Sequence, residues 1–136
     1  MTDARARGPV ATVAAKLQVK PGDVVAIAAT PAEKALLGAL PEGAEEGDRD
    51  GAAVVVTFVH DRDELLGRFA SDLSRLGAAR AVWYVYRKAK GADVNRDTIM
   101  REAGAFGWRA ISNVAVDTEW SAVRVRPLAD GEAPLG

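Results

Sequence analysis

Hydrophobic residues occur along this chain in runs separated by turn residues, and the runs show two periods. Unbroken apolar runs, typical of buried strands, alternate with segments whose apolar residues recur at the helical spacing of three and four. Strands are predicted at 23–29 (DVVAIAA), 52–60 (AAVVVTFVH) and 79–87 (ARAVWYVYR). This alternation predicts an α/β sheet.

Two helices and one weak strand are predicted around the first strand. A short lead-in helix is expected at 10–19. A second helix is expected to begin at Pro31, because proline at the first helical position lacks only an N–H that has no intrahelical partner, and to end before Pro41. The acidic turn region 42–51 leaves room for one short edge strand.

The strongest helix signal lies at 61–76, and a further helix is predicted downstream. Asp61 is expected to cap the first turn, and Glu64 to complete a capping box; Gly77 is expected to end this helix. Its apolar face consists of Leu65, Leu66, Phe69, Leu73 and Leu76. The further helix is expected to start at Asn95, to end at Gly107 and to bury Ile99, Met100, Ala103 and Phe106.

The last two strands differ from the others in their connection. The apolar patterns at 109–117 and 121–127 are separated by three residues, too few for the crossover that parallel strands need. They are therefore predicted to form an antiparallel hairpin, with Val123 and Val125 on one face and the alternating arginines on the other.

Length and composition indicate one soluble domain. A chain of 136 residues, 49% hydrophobic and 27% charged, can bury about two thirds of its unfolded surface. Residues 1–136 are predicted to form a single domain with frayed ends at 1–8 and 128–136. No apolar run reaches the roughly 18–20 residues of a membrane span, and the N-terminus lacks the apolar core of a signal peptide. We therefore expect a cytoplasmic protein that does not bind membranes.

Residue usage excludes several chemistries. The chain has no cysteine, so disulfides, thiolate metal sites and cysteine nucleophiles are ruled out. Its single histidine, His60, cannot form a histidine-rich metal centre, and no metal site is expected. Residues 80–127 carry nine Lys or Arg against five Asp or Glu. This excess favours an anion-facing side, but it is too weak to indicate nucleic-acid binding.

The order of strands and helices, ending in an antiparallel strand, is similar to the second half of the class I methyltransferase fold. More specifically, KLQVKPGDVVAIAATP, NRDTIMREAGAFGWRAISNVAVD and WSAVRVRP resemble an uncharacterised family of small bacterial proteins, known as a domain of unknown function, that spans nearly the whole chain. The resemblance implies a three-layer, Rossmann-like, mostly parallel sheet ending in an antiparallel hairpin. It implies no established activity.

The methyltransferase resemblance fails at the loop after the first strand. Nucleotide-binding sheets of this type need glycines there, so that the backbone approaches the ligand closely. The sequence AIAATPAEK has none, since no glycine lies between Gly22 and Gly38, and Pro31 removes one N–H donor. No acidic residue clearly closes a second strand to bind a ribose. We therefore expect no cofactor.

The candidate site lies at the carboxyl edge of the sheet, where open α/β sheets bind ligands. This edge collects the loops at 30–34, 60–63, 87–96 and 117–120. The candidate ligand-binding residues are Lys88, Asn95, Arg96, Trp120, Ser121 and His60. Structural explanations compete with this one: Asn95 suits a helix N-cap, and Arg96 could pair with Asp117 or Glu119.

The sequence thus favours a non-catalytic module that binds a small anionic ligand, or a protein partner, at this edge. No catalytic residue is assigned, because no nucleophile lies in an activation motif. One alternative is an enzyme of methyltransferase ancestry with a rebuilt cofactor loop. Another is a homo-oligomeric interaction domain, a possible homodimer, whose outer strand pairs with a second copy.

Overall fold

A six-stranded sheet forms the centre of the protein. The computed structural model describes residues 12–133. The strands are β1 (Val24–Ala28), β2 (Glu45–Glu46), β3 (Val54–Phe58), β4 (Ala81–Arg87), β5 (Trp108–Ala115) and β6 (Trp120–Pro127). The helices are α1 (Val13–Lys16), α2 (Pro31–Ala35), α3 (Arg62–Asp72, followed by a 3-10 turn at Leu73–Arg75) and α4 (Arg96–Ala105).

The strand order is β2-β1-β3-β4-β6-β5. The first four of these strands are parallel, whereas β6 runs antiparallel to both of its neighbours, β4 and β5. The predicted α/β class, the short strand in the acidic region and the C-terminal hairpin are confirmed. Because β6 lies inside the sheet, β5 is the outer strand on that side among residues 12–133.

Each face of the sheet carries its own hydrophobic layer. On the face covered by α3 and α4, Phe69 packs edge-on against Tyr84 of β4 at a centroid distance of 4.9 Å, and Ile99 is buried in the same cluster. On the face covered by α1 and α2, Leu17 and Trp83 are buried together, and the Trp83 indole N–H donates to the Leu17 carbonyl at 2.8 Å. All five residues of β3 are buried, Thr57 included, as expected of a strand that is covered on both faces.

The first two helices are shorter than their apolar patterns predict. Within the described residues α1 spans one turn after Thr12, which accepts a hydrogen bond from the Ala15 N–H. Positions 10 and 11 of the predicted helix lie outside the described residues. α2 ends at Ala35 rather than near Pro41. Gly38 has a left-handed φ of 73°, and a Cβ there would lie 3.1 Å from the Thr12 side chain, so the turn needs glycine for both conformation and space.

Two further expectations change in detail. Phe106 is 39% exposed rather than buried. It follows the last turn of α4, and its ring contacts that of Phe69 edge-on at a centroid distance of 5.6 Å. Val24 at the start of β1 is 38% exposed, so the first strand is not covered along its whole length.

Residues 128–133 of the predicted C-terminal tail make defined contacts. The Leu128 N–H donates to the Gly107 carbonyl, and Glu132 forms two hydrogen bonds of 2.8 Å with the Arg126 guanidinium. The remaining tail positions, 1–8 and 134–136, lie outside the described residues. No helix between residues 12 and 133 is long and apolar enough to cross a membrane.

Candidate functional site

A cleft opens at the carboxyl edge between β1 and β3. After β1 the chain continues to β2 on one side, and after β3 it continues to β4 on the other. The connections therefore diverge between β1 and β3, which is where open α/β sheets bind ligands. The cleft has a volume of about 240 Å³ and is lined by Ala28, Ala29, Thr30, Glu33, Phe58, His60, Glu64 and Arg68.

His60 joins the two sides of this cleft. Its Nε2 lies 2.5 Å from Glu33 Oε2, and its Nδ1 lies 2.7 Å from Glu64 Oε1. Because an ionised carboxylate only accepts hydrogen bonds, both contacts are satisfied together when both ring nitrogens carry protons. The hydrogen bond with Glu33 raises the pKa of His60; burial opposes this, and the bond with Glu64 adds to it. The arrangement therefore favours an imidazolium between two carboxylates.

Glu33 is held in place by the start of α2. The Thr30 hydroxyl accepts from the Glu33 N–H at 3.2 Å, and Glu33 Oε1 accepts from the Thr30 N–H at 2.9 Å, which together form a capping box. Burial alone would raise the pKa of Glu33, but the hydrogen bonds from His60 and Thr30 outweigh it, and the pKa lies below its ordinary value. Glu33 is thus a largely buried carboxylate with a fixed position.

Glu64 makes a different contact from the predicted one. Asp61 does cap α3, accepting from the Glu64 N–H at 2.7 Å. The Glu64 carboxylate, however, accepts from the backbone N–H of His60 at 2.7 Å rather than from that of Asp61. Glu64 therefore orders both the backbone and the ring of His60.

The cleft does not fit the S-adenosylmethionine or dinucleotide that its fold would suggest. Such a ligand needs free N–H donors at the start of the helix after β1. Here Pro31 has no N–H, and the Thr30 and Glu33 N–H groups bond to each other's side chains. Two alanines, Ala28 and Ala29, stand where close backbone approach calls for glycine.

The acidic residue that ends β2 does not complete a ribose site either. Glu46 pairs in register with Val25, three residues and so about 10 Å before the end of β1. Its carboxylate binds the Lys34 ammonium at 2.9 Å. Across residues 12–133, no group of three or more His, Cys, Asp or Glu side chains could hold a metal ion.

The two predicted loops meet in space. The Lys88 N–H donates to the Glu119 carbonyl at 2.6 Å, and the Lys88 ammonium donates to the Asp117 carbonyl at 3.1 Å. Arg87 lies directly opposite Trp120 in the β4–β6 pair, and its guanidinium is 3.6 Å from the Glu119 carboxylate. Lys88 therefore connects the loops, and Arg87, which the sequence analysis did not single out, lies beside them.

Trp120 and His60 lie on the α1 and α2 face of this edge. The Trp120 ring contacts Phe58 edge-on at a centroid distance of 5.3 Å and His60 at 6.3 Å. Trp120 is half-buried, whereas the tryptophans at 83 and 108 are buried. Since residues directly opposite in a strand pair share a face, Arg87 also lies on this side.

Asn95, Arg96 and Ser121 are placed differently. Asn95 caps α4, with its side-chain oxygen accepting from the Thr98 N–H at 2.9 Å. Ser121 is buried and donates to the side chain of Asn113 at 2.9 Å. Arg96 is 65% exposed, has Asp97 as a distant ionic neighbour at 3.8 Å, and borders a groove between α4 and β5 on the opposite face of the sheet.

Solved structures with this fold are similar in shape but remote in sequence. A protein of the NADB-Rossmann superfamily from Streptococcus agalactiae superposes with a TM-score of 0.55 at 6% identity, covering 95% of this chain and 71% of its own. A Streptococcus pneumoniae protein described as a candidate tRNA (m1A22) methyltransferase gives 0.54 at 7% identity, covering 100% and 73%. The Bacillus subtilis tRNA (m1A22) methyltransferase gives 0.51 at 9% identity, covering 92% and 71%.

No family model matches the chain, and no curated protein is similar to it in sequence. The comparisons therefore show a Rossmann-like fold similar to that of methyltransferases. They do not support membership of the uncharacterised family that the sequence resembles.

Proposed function

We propose that the protein is a non-catalytic module that binds a small anionic ligand at the carboxyl edge of its sheet, on the side of α1 and α2. The site we assign lies beside the His60 cleft and extends from Trp120 to Arg87 and Lys88. The observation that carries the proposal is that Arg87 lies opposite the half-buried Trp120. Of the described residues, the nearest carboxylate to the Arg87 guanidinium, that of Glu119, is 3.6 Å away, which is longer than a hydrogen bond.

The charges around this stretch favour an anion over a cation. The positive charge of His60 is already balanced by Glu33 and Glu64. At the neighbouring loops, the partner of the Lys88 ammonium within residues 12–133 is a backbone carbonyl, not a carboxylate. The Asp117 carboxylate accepts from two backbone N–H groups, those of Glu119 and Trp120, at 2.8 Å each. Arg87 and Lys88 are therefore the groups able to take a carboxylate or phosphate.

The direct test compares anions on matched variants. Citrate, sulfate and inorganic phosphate should raise the melting temperature of the wild type more than chloride at equal ionic strength. Part of this rise is general, because kosmotropic anions stabilise any protein to some extent; the part that belongs to the site is the part that a site variant loses. Arg87→Gln should lose this part. Arg96→Gln, which removes the same charge from an exposed site on the other face, should keep it. An equal response of Arg87→Gln and wild type would contradict the proposal.

Trp120 provides a second readout. Since Trp83 and Trp108 are buried, an anion with a planar group should quench the fluorescence of Trp120 selectively. Trp120→Phe should abolish the saturable part of the quenching while leaving the fold intact. Native mass spectrometry of the purified protein would then give the mass of any ligand retained from the cell.

A methyltransferase-derived enzyme is the second candidate, and the observation that favours it is the fold shared with tRNA methyltransferases. The capped start of α2 opposes it. We expect S-adenosylmethionine to give no saturable rise in melting temperature, whereas a ligand at one hundred times its dissociation constant should add about 2.7 kcal/mol to the free energy of unfolding. A saturable rise that Glu33→Gln alters would favour the enzyme instead.

A further inference from the structure

The two outer strands of the sheet differ in length and in charge. β2 has two residues, both glutamates, and short, charged strands protect a sheet edge from pairing. β5 at the opposite edge has eight residues, WRAISNVA, of which Arg109 alone is charged. β5 therefore lacks the length limit and the charges that keep an edge strand unpaired, and its one protecting feature is a bulge between Ala110 and Ser112, which leaves the segment after it open to pairing.

The backbone of β5 continues as a regular ladder beyond its bulge. The irregularity lies between Ala110 and Ser112, and from Ser112 to Ala115 each residue pairs in turn with β6. The Val116 N–H donates to the Trp120 carbonyl. Since alternate residues of a strand point their hydrogen-bonding groups to opposite sides, Asn113 and Ala115 direct theirs away from β6.

An apolar groove accompanies this edge. It has a volume of about 230 Å³, lies between α4 and β5, and includes Met100, Ala110 and Ile111. Ile111, the residue at the bulge, is 39% exposed. A strand placed along β5 would cover Ile111 and gain hydrogen bonds at the same time.

We propose that β5 is a dimer interface at which two copies of this chain pair their β5 strands antiparallel, so that the two sheets become one. Self-pairing brings no like charges together. When Asn113 faces its own counterpart, the exposed Ile111 lies opposite Ala115 of the partner subunit, so apolar side chains meet. Arg109, the charged residue of β5, is held within its own chain by Glu132 at 3.4 Å. Such an interface is isologous and closes after two copies. The other edge strand, β2, is too short and too charged to pair in the same way, so this assembly stops at two copies.

The test is the mass of the protein in solution. Sedimentation velocity of the wild type should give a species of about twice the 14.3 kDa chain mass. In the double variant Ile111→Lys, Ala115→Lys, lysines face each other in this register, and the dissociation constant of the dimer should rise about tenfold or more. The control Ala70→Lys, Ala78→Lys adds the same charge at exposed positions of α3 and its following turn and should dimerise like the wild type.

Mixing identifies the surface independently of any loss of stability. The variant Ile111→Glu, Ala115→Glu should also be monomeric alone, and an equimolar mixture with the lysine variant should restore a dimer. Far-ultraviolet circular dichroism checks that each variant is folded. A monomeric wild type overturns the proposal. So does a dimer that the β5 variants leave unchanged, which would place another surface of this chain, or another partner, at the contact.

Discussion

His60 should make the stability of this protein depend on pH in a window where few other groups titrate. It is the only histidine, and its hydrogen bonds with Glu33 and Glu64 raise its pKa above the ordinary 6.5. A group whose pKa is raised on folding stabilises the native state fully below its unfolded pKa, and this contribution is lost as the pH rises through the folded pKa. Replacing His60 by Gln, which cannot be charged, should therefore cost most stability in acid and least in base.

The size of the effect follows from the exposure of the three side chains. An exposed ion pair contributes about 0–1 kcal/mol, whereas a hydrogen bond to a charged group contributes about 1.5–3 kcal/mol. The His60 side chain is 48% exposed and the Glu33 side chain 11%, so the pair lies between these cases. We expect His60→Gln to lower the free energy of unfolding by about 1–2 kcal/mol at pH 6, and by clearly less at pH 9.

Urea unfolding of wild type and variant between pH 5.5 and 9 measures this difference directly, and the single imidazole can be titrated by NMR without assignment. Glu33→Gln is the matched control, since it removes the larger cause of the raised pKa but keeps the ring. An NMR pKa at or below 6.5, or a stability difference that does not change with pH, would refute the reasoning.

Three more side chains give separate predictions. Asn95→Ala should lower the free energy of unfolding by about 0.5–2 kcal/mol and Asn95→Asp should change it little, because Asp also caps helices; equal stability of all three proteins in urea would contradict the cap. Trp120→Ala should cost about 2 kcal/mol, less than the 3–5 kcal/mol of a fully buried tryptophan, since the ring is half-buried against Phe58; loss of folding would mean that Trp120 is a core residue. The hydrogen bonds from Arg126 lower the pKa of Glu132 to about 2. The contribution of Glu132 to stability should therefore be present above pH 4.5 and be lost between pH 4.5 and 2. In acid unfolding curves, the stability difference between wild type and Glu132→Gln should disappear over that range.

The fold could be predicted because its signals are local. The apolar run of β3 and the helical spacing of α3 each follow from a few adjacent residues. The hairpin of β5 and β6 follows from a connection too short for a crossover. Helix lengths were harder, because α2 ends where a left-handed glycine at 38 packs on Thr12, a contact between segments far apart in the chain.

The sequence predicts which edge of the sheet carries the candidate site, but not which of its residues lie on the same face. The carboxyl-edge rule brings the loop of Lys88 to that of Asp117, and they do meet. Whether Arg96 and Trp120 share a side depends on strand register and on which layer α4 joins, and neither is encoded near these residues. The structure places them on opposite faces. Glu33 was missed although the spacing TPAE is itself a capping-box signal.

The role of Glu33 explains why we place the proposed site away from the first loop. In a cofactor-binding sheet the start of the helix after β1 faces the ligand; here Glu33 fills the same position, caps its own helix and binds His60. The cleft is thereby closed to an anion by its own carboxylates, and His60 is already paired. Positive charge that can still accept a ligand lies further along the edge, where Arg87 and Trp120 face each other across β4 and β6. The ligand site that we propose thus lies at the last hairpin and not at the first loop, and the anion titrations of Arg87→Gln and Arg96→Gln test this placement.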